Sequence, residues 1–275
     1  MTIRSILAVA DGGATTQATL ETALLTAKRF DATLDVLHVL ADVNSVVPVI
    51  GEGMSGAMVE QLMAAMAQTI ATRATRAREA YQKLSAEAGG KAAWRELTGR
   101  EADVIAAAGR LTDLIVIGRP NGEAEAPLAA TLDAALFDTG RPVLVAAPTT
   151  ARAIAGRAAL AWNGSAQAAR VVAAALPILE AAEHVTVLTV GAIDSPATAQ
   201  DLVAYLGKHN VRASHESVPP GGASTGATLL AHAEQTRADL LVMGAYGHSR
   251  LREMILGGAT RDVLSAATIP VLMAH

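Results

Sequence analysis

Two doubly wound α/β units in tandem are what these 275 residues predict, and three observations carry the prediction. First, the chain is written twice. Ser5-Ile-Leu-Ala-Val-Ala-Asp-Gly12, a helical Ala/Leu pattern and Leu34–Val39 match Ala158-Ala-Leu-Ala-Trp-Asn-Gly164, a similar helix and Val185–Val190. Thr112-Asp-Leu-Ile-Val-Ile-Gly118 with Arg141–Ala146 matches Ala238-Asp-Leu-Leu-Val-Met-Gly244 with Ile269–Ala274. Second, the apolar runs are short and continuous, which suits strands buried on both faces. Third, segments of helical period separate them, the alternation that gives a parallel sheet with helices on both sides.

The elements follow in order. The apolar run that opens the chain is cut by Asp11 and Gly12-Gly13, so it reads as a first strand rather than a signal peptide. Ala57 to Ala88 has helical spacing and is stopped by Gly89-Gly90. Third strands are expected near Ala92–Leu97 and Arg212–Val218, and a helix over Gly226–Arg237 leads into the strand at Leu240. Matched residues lie about two dozen positions closer at the repeat ends than at the repeat starts, so the first half carries an insertion, assigned to 41–56 and the long helix. Ala147-Pro-Thr-Thr-Ala-Arg152 is a short polar connection that divides residues 1–148 from 154–275. So short a linker implies halves packed together.

Composition narrows the function. Only 3% of residues are aromatic and the formal charge is -4, which leaves neither stacking platforms nor a basic face for a nucleic acid or an anionic membrane. Arg73, Arg76 and Arg78 read as the solvated side of a helix. Zero cysteines exclude disulfides and thiol catalysis, and no apolar run is long enough to span a bilayer. A cytoplasmic protein is expected.

Several motifs fail on context. Gly51-Glu-Gly-Met-Ser-Gly56 fits GxGxxG, yet a proline-containing segment precedes it and one long helix follows, so it reads as a loop. No P-loop, GxSxG elbow or HExxH spacing occurs, and the seven histidines are scattered.

Gly244-Ala-Tyr-Gly-His-Ser-Arg-Leu-Arg-Glu-Met-Ile-Leu-Gly-Gly-Ala-Thr260 is different, because it starts where a strand ends, the place where open α/β sheets hold ligands. Gly257-Gly258 breaks the chain and Ala259–Ser265 restarts a helix, whose open N–H groups form an anion site. Glycines without Cβ let phosphate oxygens approach the backbone, with Thr260, His248, Arg250 and Arg252 as further donors. The same glycines would equally serve tight turns over a closely packed helix, and from the residues alone both readings stand.

The spacing Gly244-x-x-Gly247, nine residues, then Gly257 resembles the nucleotide-binding signature of the universal stress protein family, and the resemblance covers nearly the whole chain in tandem. It implies two five-stranded sheets of the adenine nucleotide alpha hydrolase-like type, strand order 3-2-1-4-5. Their fifth strands, Val143–Ala147 and Val271–Ala274, would pair antiparallel as an intramolecular pseudo-dimer, and a further homodimer is compatible with this. The ligand implied is ATP, AMP or ADP, with Mg²⁺ held only through the phosphates. By position, Ala161, Trp162 and Asn163 fall to the ribose, Val190 to the adenine, and Met243, Gly244, Gly247, His248, Gly257, Gly258, Ala259 and Thr260 to the phosphates. Asn163 stands where aspartate is usual and Gly258 where Ser or Thr is usual, changes that exchange charged or hydroxyl partners for weaker ones, at about 1 kcal/mol per neutral hydrogen bond.

The first half keeps Asp11 but not the motif: Asn121 replaces the second glycine, Thr131 the third, and Glu123 and Glu125 would repel phosphate. It is expected to be a scaffold. No metal carboxylate or water-positioning base is identifiable, so slow hydrolysis is the most the resemblance implies, and the chain reads as a regulatory stress-response module rather than an enzyme. The alternatives are a nucleotide-free interaction protein of the same fold or one that takes another small anionic ligand. An adenylate-transferring enzyme of related fold lacks a catalytic motif here.

Overall fold

The computed structural model describes residues 2–42, 56–119, 126–193, 195–219, 221–245 and 258–275. Strand and helix alternate as the apolar periodicity requires. The first half runs β1 (Ser5–Val9), α1 (Thr16–Phe30), β2 (Thr33–Ala41), α2 (Gly56–Glu87), β3 (Ala92–Gly99), α3 (Glu101–Gly109), β4 (Leu114–Ile117), α4 (Ala126–Asp138) and β5 (Val143–Val145). The second runs β6 (Arg157–Ala161), α5 (Ala166–Glu180), β7 (His184–Val190), α6 (Ala199–Lys208), β8 (Ala213–Val218), α7 (Thr225–Gln235), β9 (Leu240–Gly244), α8 (Gly258–Ala266) and β10 (Val271–Ala274).

All ten strands form one sheet, ordered β3-β2-β1-β4-β5-β10-β9-β6-β7-β8. Each half therefore has the order 3-2-1-4-5, and the halves meet at β5 and β10, which pair antiparallel with Leu144 opposite Leu272. Because side chains alternate across a strand, Leu144 and Leu272 join the core on one face, while Val143, Val145, Val271 and Met273 join the core on the other. Burying each such leucine stabilises by about 1.5–3 kcal/mol, and the pairing leaves neither fifth strand as an open edge.

Two aspartates fasten the starts of the first strands in the same way. Asp113 accepts from the Arg4 and Ser5 N–H groups at 2.8 and 3.0 Å, and Asp239 accepts from those of Gly156 and Arg157, the closest at 2.9 Å. The sequence match around these two residues is thus a match of staples. Beyond the strand seam, Arg29 of α1 donates to the carbonyls of Ala155 and Ala181, and Arg119 donates to that of Ala267, so side chains also cross between the halves.

Helix α2 accounts for most of the expected insertion, with 32 residues against 10 in α6. Its buried residues are Ala77, Ala80 and Leu84, a stripe at helical spacing that docks only the later turns. Here the structure corrects the reading of the arginines. Arg73 falls on that same stripe, is half-buried and reaches Asp11 at 3.9 Å; Arg76 and Arg78 are exposed as expected, with Arg78 lying 4.9 Å over the Trp94 ring. A charged residue inside an apolar stripe looks solvated in sequence, and only the partner beneath it reveals the burial.

Candidate functional site at the carboxyl rim

Parallel strands point their carboxyl ends to one rim, and the helices that follow begin there with unpaired N–H groups. In the second half this rim gathers the ends of β6, β7 and β9 and the starts of α5 and α8. Of the predicted residues it brings together Ala161, Trp162, Asn163, Val190, Met243, Gly244, Gly258, Ala259 and Thr260. Gly247, His248 and Gly257 lie outside the described residues, as do all but the last residue of the Gly51–Gly56 loop.

The loop after β6 is held by its own polar atoms. Asn163 Oδ1 accepts from the Ser165 N–H at 3.1 Å, and Ser165 Oγ accepts from Ala168 N–H at 3.1 Å as the N-cap of α5. Asn163 is exposed at the rim, so a second lone pair of its amide oxygen remains available. Trp162 is 8% exposed and its indole Nε1 donates to the Ala197 carbonyl at 3.1 Å. Ser195, on the same segment, donates to the Gly164 carbonyl at 3.3 Å. The segment between β7 and α6 is thereby clipped over the loop after β6, a connection that carries no sequence signal except glycine at 164, where φ is +72°.

The glycines divide between the two readings left open by the sequence. A Cβ on Gly244 would lie 2.8 Å from the backbone of Gln167 and Ala168, so bare backbone there lets the first turn of α5 close on β9. No described atom lies within 4 Å of a Cβ built on Gly258 at the start of α8. Thr260, one turn in, is 4% exposed. Neither α5 nor α8 carries an acidic residue in its first turn, a feature shared by their first-half counterparts α1 and α4.

The equivalent rim of the first half is filled. A Cβ on Gly12 would come within 2.1 Å of the Arg73 carbonyl oxygen, so α2 crosses directly on the loop after β1. Asp11 is 8% exposed; its Oδ1 accepts from Thr16 Oγ1 at 2.5 Å, and Arg73 lies 3.9 Å from its Oδ2. Glu101, the first residue of α3, has a buried oxygen without a hydrogen-bond partner, and its carboxyl is pushed up to about 7 by burial first and by the Asp11 charge second. Thr131, which replaces the third motif glycine, is fully buried and hydrogen-bonds Glu101. Sequence reasoning missed Glu101 and Arg73, because neither stands in a motif.

Two open clefts lie away from these rims, one lined by Leu7, Leu97 and Leu111, the other by Arg157, His184 and Arg237; neither is lined by a predicted site residue. The sequence profile described as the universal stress protein family matches residues 2–146 and 215–275, more than half of the chain. This chain belongs to the universal stress protein family. A segment of 44 residues is 46% identical to the universal stress protein Slr1230 of Synechocystis, covering 16% of this chain and 15% of that protein. Over the whole length the fold is similar to that of a universal stress protein from Archaeoglobus fulgidus, with a TM-score of 0.70 at 19% identity, covering 98% of this chain and 96% of that one. A putative universal stress protein of Pseudomonas aeruginosa is similar with a TM-score of 0.58 at 17% identity, over 99% and 93% of the two chains. This universal stress protein thus has two repeats in one sheet. No described helix is long and apolar enough to cross a membrane.

Proposed function

We propose that this universal stress protein binds an adenine nucleotide, ATP, AMP or ADP, at the carboxyl rim of residues 154–275, while residues 1–148 serve as a scaffold repeat. The observation that carries the reading is the contrast between rims. The first presents the buried Asp11 and a buried oxygen of Glu101 beside Arg73; the second presents the exposed Asn163 and, at Gly258, a helix start with no described atom against it. A polyphosphate is repelled by the former and attracted by the latter. Occupancy of the site is the regulatory signal, in the cytoplasm, and Mg²⁺ would arrive with the phosphates.

The test is thermal stability and nucleotide stoichiometry in millimolar ATP, for the natural chain and for Gly247→Val. One nucleotide per chain and a rise in Tm that the variant loses support the reading; no shift with ATP, ADP or AMP removes it. A second reading, a nucleotide-free interaction protein, is favoured by two contacts: Asn163 Oδ1 is engaged by Ser165, and Gly244 is used by packing. It predicts unchanged stability at every nucleotide concentration.

A further inference from the structure

The first-half rim has a composition that packing alone does not explain. Five elements converge there: Asp11 after β1, Thr15 and Thr16 at the start of α1, Arg73 on α2, Glu101 at the start of α3 and Thr131 on α4. Asp11 Oδ2, Glu101 Oε1 and Thr15 Oγ1 are all buried without a hydrogen-bond partner. Buried polar atoms are normally satisfied, and an isolated buried carboxylate is strongly disfavoured, so the cluster calls for a bound counter-charge. Among the described residues the charges that act on Glu101 are Asp11 and Arg73. Two carboxylates against one guanidinium leave one negative charge uncompensated.

We propose that this rim is a proton-binding site: the Glu101 carboxyl, with one oxygen buried and unpartnered, holds a proton beside Asp11 and Arg73, and loss of that proton leaves two carboxylates against one guanidinium. The site of a lost ligand is then occupied by the smallest cation. Arg73 stands against a larger cation at this place, since its guanidinium already lies 3.9 Å from Asp11.

Other charged and titratable groups stand nearby, among them His38, whose buried Nε2 also lacks a hydrogen-bond partner. Arg100, beside Glu101, is exposed and pairs with Asp103 at 3.4 Å. His38 of β2, also buried under α2, has Nδ1 2.6 Å from the Ala10 carbonyl and stacks on Trp94; it is not among the groups acting on Glu101. The Glu101 carboxyl, ordinarily near 4.5, is raised to about 7. Since the folded chain then holds the proton more tightly than the unfolded chain, stability is highest below the unfolded value of 4.5 and declines as pH rises toward about 7.

Infrared titration of the natural chain tests the site directly. A protonated-carboxyl band that persists at about pH 6, well above the ordinary range for glutamate, is expected, and it should disappear in Glu101→Gln. Asp11→Asn should move its midpoint down and Arg73→Gln should move it up, opposite shifts that a purely structural cluster does not produce. If every carboxyl of the natural chain titrates below about pH 5.5, the site does not exist, whatever the variants do. None of these readouts depends on nucleotide, so failure here leaves the reading of the second repeat untouched, and the converse holds as well.

Discussion

Asp11 and Asn163 follow the first strands of the two halves at equivalent places, yet one is buried beneath a helix and the other exposed. The same division continues around each rim. Glu101 and Asp103 stand in the first turn of α3, while α7, its counterpart, has no acidic residue there. Helix α2 is long enough to carry Arg73 onto the loop after β1; α6, with 10 residues, is too short to do the equivalent. One topology has thus been finished in two ways. What the difference teaches is that a crevice at a topological switch point is an offer made by the fold, and the helix after the second strand decides whether the chain fills it itself.

Substitutions at glycine break this comparison most sharply. Gly12→Ala places a Cβ at 2.1 Å from the Arg73 backbone in a residue with φ of +73°, so a loss of about 3 kcal/mol or more is expected by urea denaturation. Gly258→Ala places its Cβ within 4 Å of no described atom and should change stability by less than about 1 kcal/mol. Gly164, the counterpart of Gly12, has φ of +72° and a Cβ there would lie 2.4 Å from that of Ser195, so a loss at Gly164→Ala as large as at Gly12→Ala would show that the two loops are filled alike. Next in size is the response to ligand. Saturating ATP at about 100 times Kd should stabilise the chain by about 2.7 kcal/mol, with one nucleotide bound; two would place a working site under α2 as well.

The staples sharpen the comparison from the side of likeness. Asp113→Ala and Asp239→Ala each remove an acceptor shared by two backbone N–H groups, and each should lower stability by about 1–3 kcal/mol. A large effect in one half only would mean that the repeats do not carry load alike. A smaller effect than that of the staples is expected of Trp162→Phe. It removes the hydrogen bond to Ala197 for about 1 kcal/mol and should speed proteolysis between β7 and α6, without altering cleavage in the first half.

The legibility of the fold in the sequence was uneven. Repeated apolar runs, the paired Thr-Asp-Leu and Ala-Asp-Leu starts and the helix ended by Gly89-Gly90 marked strands and α2, while the role of the two aspartates as staples emerged only from the structure. The antiparallel seam followed from the family resemblance rather than from periodicity, since an edge strand and a seam strand have the same apolar pattern. At the site, the strand ends and the start of α8 were legible because they carry glycine. The clip of Ser195 and Trp162 over the loop after β6 was not, because its partners are backbone carbonyls, which leave no mark on residue type.

By itself, then, the sequence determined two repeats, their strand–helix order and the asymmetry of their motifs, because hydrophobic period and glycine position are local properties. Only the tertiary structure decided that Gly244 serves packing, and that Arg73 reaches Asp11 with Glu101 in range of both charges. Those facts depend on which distant backbone or charge arrives at a given point in space, and burial, which sets the energy of a carboxylate or a Cβ there, is created by the fold as a whole.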